Sequence, residues 1–152
     1  MIFTTTKQIR FHHCDPAGIV FYPRYYGLLH EAQEDWLGHM GFPEHGIINA
    51  GFGVPIVGMQ TDFVGMSRFG DVVHIDVDLW KLGNSSIGMR YFLYSKEVNK
   101  NDDTHAKTPN IDAKQPRLKA KSTVVYTQVA QSKAVRIPDD LRAAMLPFLN
   151  AE

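Results

Sequence analysis

Near the start of the chain, His12, His13, Cys14 and Asp15 set two imidazoles, the only thiol of the sequence and a carboxylate side by side. Such a cluster could hold a metal ion, activate a thiol nucleophile, or present one carboxylate among structural neighbours. Zinc ligands usually come as two short pairs of Cys or His, and no second pair follows that pattern here. If the first strand continues through 9–15, alternation sends His12 and Cys14 to one face and Phe11, His13 and Asp15 to the other. Four neighbours then do not converge on one ion, and no metal is expected. Cys14 as a nucleophile would need a lowered pKa and a placed base, whereas a lone cysteine commonly packs as a small hydrophobe.

Asp15 is followed by Pro16, Ala17 and Gly18 and then by the apolar run IVFYP. Pro16 holds the aspartate extended, and Gly18 permits the left-handed backbone of a sharp reversal. A helix starting just beyond would bring its free N–H groups, those of Phe21 and Tyr22, close to the carboxylate. A carboxylate facing an electrophilic carbon, with backbone donors facing its oxygen, is an arrangement for acyl transfer. Asp15 as a plain turn residue is the competing reading.

These residues need a scaffold to position them. Hydrophobic residues at helical spacing, Tyr25, Leu28, Leu29, Ala32, Trp36, Leu37 and Met40, predict a helix from Pro23 to about Gly41. Its apolar stripe is wide, so a sheet is expected to wrap around it. Gln33 falls inside the stripe, with Tyr26 and His30 along its edge. Stretches 54–66, 71–83, 85–98 and 118–131 are rich in β-branched and aromatic residues and read as strands, with a fifth over 3–11. GNSS joins the middle pair as a hairpin. The polar stretch 99–116 reads as a long loop, and Pro138 followed by two aspartates opens a short helix near the end. The class is α+β, and the domain is single, over 1–152.

The 152 residues, 44% of them hydrophobic, suffice for one core, and sixteen Lys and Arg balance sixteen Asp and Glu. No charge excess pulls the chain toward nucleic acid or an anionic membrane, so a small molecule or a second copy is the expected partner. No leader-like or membrane-length apolar run is present, and one cysteine suits a reducing, cytoplasmic setting.

The segments HCDPAGIVFYPRYYGLLHEA, DFVGMSRFGDVVHID and WKLGNSSIGMRYFLY, in this order, resemble the 4-hydroxybenzoyl-CoA thioesterase branch of the hotdog-fold acyl-CoA thioesterases. The resemblance implies a long central helix wrapped by a curved antiparallel sheet of about five strands. It also implies dimers or tetramers with sites between subunits, an acyl-CoA substrate and no cofactor. Asp15 matches the family's catalytic carboxylate, which attacks the thioester or activates water, and Tyr22 the residue whose backbone N–H polarises the thioester oxygen. Gly18, Phe21, His30, Gln33, Lys81, Ser85, Ser86 and Lys133 form the implied substrate-binding set. Lys81, Ser85 and Ser86 lie on the coenzyme A hairpin, where Arg90 and Lys133 are further cations for phosphate. His30 stands where the hydroxybenzoyl enzyme has an acidic residue for the phenol. Two other readings stay open, a non-hydrolytic acyl-thioester-binding protein and a hotdog dehydratase or isomerase using His12 or His13.

Overall fold

The computed structural model describes residues 1–96 and 115–151. The chain lays down β1 (Phe3–Gln8), α1 (Tyr22–His39), α2 (Glu44–Asn49), β2 (Phe52–Gly53), β3 (Ile56–Phe63) and β4 (Val72–Leu82). It continues with β5 (Ser86–Ser95), β6 (Leu118–Val125), β7 (Thr127–Gln128), β8 (Lys133–Ala134) and α3 (Asp139–Met145). Five strands form one antiparallel sheet in the order β1-β4-β5-β6-β3, and β2-β7-β8 form a small second one.

α1 exists because its sequence satisfies both ends and one face. Phe21 caps it in extended backbone, and Pro23, second in the helix, has no N–H to leave unpaired. Gly41 ends it at φ +87°, where Phe42 N–H reaches back to Leu37 O at 2.9 Å. The face between, Tyr25, Leu28, Leu29, Ala32, Trp36 and Leu37, is buried with the inward residues of β4, Val73, Ile75, Val77 and Leu79. Met89, Tyr91 and Leu93 of β5 and Leu118, Ala120 and Val124 of β6 complete that core. Trp36 meets Phe148 edge-on at 5.7 Å, and removing such a ring would cost about 3–5 kcal/mol. Lys7 Nζ and Thr5 Oγ1 both contact Asp35 Oδ2, at 2.8 and 2.7 Å, and tie β1 to the helix.

The hairpin expected at GNSS is present, closed by Gly83 N–H donating to Ser86 O at 2.8 Å. A bulge between Leu79 and Lys81 lets the Trp80 ring lie over Gly88, where a Cβ would collide with the indole.

Two expectations need correcting. The first strand stops at Gln8: Phe11–His13 is a 3-10 turn, because His13 Nδ1 accepts Arg10 N–H at 2.8 Å and draws the backbone into it. The strand expected over 118–131 breaks after Val125, where Tyr126 stacks on Phe52 at 5.4 Å and the chain passes to the small sheet. α2 carried no expectation, being too short for a periodic signal. The expected loop over 99–116 falls outside the described residues, apart from Gln115 and Pro116, as does the strand end at Val98.

Candidate active site

Asp15 sits in a tight reversal of the chain. Asp15 N–H donates to Ile19 O at 3.0 Å, Gly18 N–H donates to Asp15 O at 2.9 Å, and Cys14 bridges Val20 in antiparallel fashion. Gly18 lies at φ +76°, a conformation that costs other L-residues about 1 kcal/mol or more. One carboxylate oxygen, Oδ1, accepts Ala17 N–H at 2.8 Å, so the side chain is oriented by the turn it belongs to. Asp15 is half-buried.

The helix begins directly behind this reversal. Of the two N–H groups expected to face the carboxylate, Phe21 N–H is already taken, donating to His13 O at 2.9 Å. Tyr22 N–H, first in the helix, meets no backbone acceptor among the described residues. The expected pair of donors therefore reduces to one.

The loop is clamped from outside by residues that carry no signal in sequence. Val20 N–H donates to Ser67 O, Phe69 N–H to Gly18 O, and Ile19 bridges Arg68. Segment 67–71 is in turn fixed by Arg117, buried, whose Nη1 lies 2.8 Å from Asp71 Oδ2 and 3.3 Å from Ser67 Oγ. Arg68 N–H and Tyr25 Oη complete the clamp, on Asp71 Oδ2 and Ser67 N–H.

The neighbours of Asp15 do different work. His13 is buried and uses Nδ1 for the 3-10 turn, while His12 and Phe11 point to solvent. Burial, with His12 beside it, lowers the His13 pKa below its usual value of 6.5. The face assignment expected from strand alternation therefore fails. Burial and the Asp15 charge push the Cys14 thiol up, and its Sγ donates to Arg10 O at 3.6 Å. That is the opposite of an activated thiolate.

Around the helix start the surface is aromatic. Phe21, Tyr22 and Tyr26 are exposed, and Phe63 from the end of β3 has its ring 6.0 Å from Tyr22, 5.9 Å from Tyr25 and 6.5 Å from Tyr26.

The remaining expected residues lie elsewhere. Gln33, only 1% exposed, points under the sheet, where its Oε1 accepts Tyr91 Oη–H at 3.4 Å and its Nε2 has no hydrogen-bond partner. Burial raises Tyr91 to about 12, so this hydroxyl stays protonated. His30 lies on the half-exposed face between Glu34 and Glu44. Lys81, Ser85 and Ser86 belong to the hairpin at the far end of β4, where Arg142 of α3 binds Gly83 O at 2.6 Å and Leu82 O at 3.3 Å. Lys133, exposed on β8, joins that end through Tyr126, which donates to Ser85 O and accepts from Val135 N–H. Arg90 is held by Asp78 through paired contacts of 2.7 and 2.8 Å. Segment 67–71 leads into the start of β4 and the hairpin leaves its end, so on the order of 30 Å of strand separates Asp15 from the hairpin.

A long helix wrapped by a curved antiparallel sheet, with an acidic reversal feeding the helix start, is the hotdog architecture. The model of the Thioesterase-like superfamily matches residues 9–145, and the chain belongs to that superfamily. Over 95 residues it is 32% identical to the 4-hydroxybenzoyl-CoA thioesterase of Pseudomonas sp. (strain CBS-3), covering 58% of this chain and 64% of that protein. Over 78 residues it is 30% identical to the 1,4-dihydroxy-2-naphthoyl-CoA hydrolase of Synechocystis sp., covering 51% of this chain and 56% of the relative. The matches thus span less than two thirds of these curated relatives. A crystal structure of a 1,4-dihydroxy-2-naphthoyl-CoA thioesterase from Synechocystis superposes with a TM-score of 0.79 at 20% identity, over 96% of both chains.

Proposed function

We propose that this protein hydrolyses an acyl-CoA thioester, with Asp15 as nucleophile or general base and Tyr22 N–H as donor to the thioester oxygen. The observation that carries the reading is the pairing of an oriented carboxylate with an unused N–H at the start of α1, within one reversal. Either Asp15 adds to the carbonyl and expels the coenzyme A thiolate, leaving a mixed anhydride that water opens, or it takes a proton from water that adds directly. Both routes consume one water and release a carboxylic acid and a thiol. The positive end of the helix dipole and Tyr22 N–H face the oxyanion in each.

The acyl group is proposed to be aromatic, in keeping with the exposed rings of Phe21, Tyr22, Tyr26 and Phe63 and with the substrates that name the two relatives. Coenzyme A is proposed to lie on Lys81, Ser85, Ser86 and Lys133, with Gly18 letting the substrate approach the reversal and His30 and Gln33 bordering the acyl side. Because the hairpin is on the order of 30 Å from Asp15 in one chain, the hairpin serving each Asp15 comes from a second copy. No helix among the described residues is long and apolar enough to cross a membrane, and the cytoplasm is the proposed compartment.

Replacing Asp15 with Asn keeps an acceptor for Ala17 N–H and removes the charge. Turnover of an aromatic acyl-CoA, followed by thiol release, is expected to fall by about a hundredfold or more, with the melting temperature nearly unchanged. Near-parental turnover would sink the assignment.

A further inference from the structure

We propose that His30 and Glu34 of α1, together with Glu44 of α2, form a binding site for one divalent transition-metal ion of the zinc class. His30 and Glu34 are one helical turn apart and share a face. Glu44 opens α2 and reaches the same point from the other side. His30 Nε2 lies 3.4 Å from Glu34 Oε1 and 3.2 Å from Glu44 Oε2, and one donor atom from each residue falls within 4.8 Å of the others. Ligands held about 2.1 Å from a tetrahedral ion are about 3.4 Å from one another, which is the spacing of these contacts.

A second observation separates this group from an ordinary ion-paired surface. The Glu44 side chain is only 11% exposed, and its Oε2 is buried without a hydrogen-bond donor, although the imidazole nitrogen is close. The His30 imidazole nitrogen faces that oxygen at 3.2 Å and Glu34 Oε1 at 3.4 Å, so ligand atoms of all three residues point into one small volume. Charge leads to the same occupant. An imidazolium would leave the trio one charge negative, whereas a divalent ion on a neutral imidazole balances both carboxylates. The donor set selects among ions: one imidazole nitrogen with two carboxylate oxygens suits zinc and its neighbours, while calcium and magnesium prefer oxygen alone. A cavity of about 330 Å3, lined by Glu34, Pro43, Glu44 and Ile48 among others, adjoins the two carboxylates and gives an entry path and room for a water ligand.

His30 is also placed on the acyl side of the proposed substrate site, and the test is read on the metal alone, so its outcome does not depend on turnover. Chelator-treated protein titrated with zinc chloride by calorimetry, and with cobalt(II) chloride by visible absorption, should bind one ion per chain. The cobalt complex should give the intense bands of four-coordination. Glu44→Gln and His30→Gln should each weaken zinc binding by roughly a hundredfold or more, and His12→Gln should leave it unchanged. Should either of the first two unfold, Glu34→Gln on the exposed face provides the same comparison. Equal affinity across parent, Glu34→Gln, Glu44→Gln and His30→Gln, or no ion bound in excess metal, would overturn the proposal.

Discussion

Asp15 and His13 are two residues apart and do opposite work. Asp15 is held by a bond to its own turn, which leaves its second oxygen for the chemistry proposed for it; His13 spends a ring nitrogen on Arg10 N–H and holds the turn that precedes the Asp15 reversal. That bond requires an unprotonated Nδ1, and burial lowers the His13 pKa below 6.5. The consequence for stability has a definite sign. Above about pH 6.5 the ring is neutral in both folded and unfolded chains, and its full contribution is present. As pH falls below that value the unfolded chain takes up the proton first, so stability declines until the folded pKa is passed. His13→Gln can still accept from Arg10 N–H and does not titrate. Melting temperatures measured between about pH 7 and pH 5 should fall more steeply for the parent than for His13→Gln. Parallel curves would mean that His13 takes up its proton equally readily in the folded and unfolded chains, and would overturn the burial effect.

At the scale of elements, the reversal carrying Asp15 depends on segment 67–71, and that segment depends on Arg117 at the head of β6. Arg117 is buried, and its partner Asp71 keeps some contact with water. Arg117→Met should cost about 3 kcal/mol, the low end for breaking a buried pair, because Asp71 can recover part of its hydration. Turnover should fall beyond the loss of stability, since Ser67 and Arg68 no longer fix residues 18–20; unchanged kcat in the folded variant would show the clamp to be structural only. This clamp was invisible in the sequence, whereas α1 and the GNSS hairpin were legible. The stripe from Tyr25 to Leu37 and the turn chemistry of Gly83 and Asn84 are local patterns, written in neighbouring residues. Arg117 and Asp71 are joined only by the fold, as are Arg142 with the hairpin carbonyls and Glu44 with His30. His13 was misread for a related reason: alternation was extended through 9–15, and a side-chain acceptor for Arg10 N–H overrode the extended backbone.

For the whole molecule, the decisive fact is that the sheet ends on β3, a strand whose outer edge is unpaired among the described residues and exposes Ile56, Val57 and Phe63. Such an edge, with no lysine and no proline inside the strand, invites pairing with another strand. The proposed function requires a second copy, and two β3 edges can pair antiparallel about a two-fold axis. Phe63 lies at the Asp15 end of β3 and Ile56 pairs with Val124 near the hairpin end. Such a two-fold would set the Asp15 end of one copy beside the hairpin end of the other and would span the distance a single chain cannot. Mixing tests this directly. Chains carrying Asp15→Asn and chains carrying Lys81→Glu with Lys133→Glu should each be nearly inactive alone at low substrate. After exchange in equal amounts, half of the dimers are mixed and each has one intact site, so about a quarter of parental activity should return. Sedimentation should give twice the chain mass for every sample, and a chain with Ile56→Lys and Val57→Lys should sediment as a monomer without activity. A mixture no more active than the mean of its two components would place the hairpin and Asp15 of each site in the same chain.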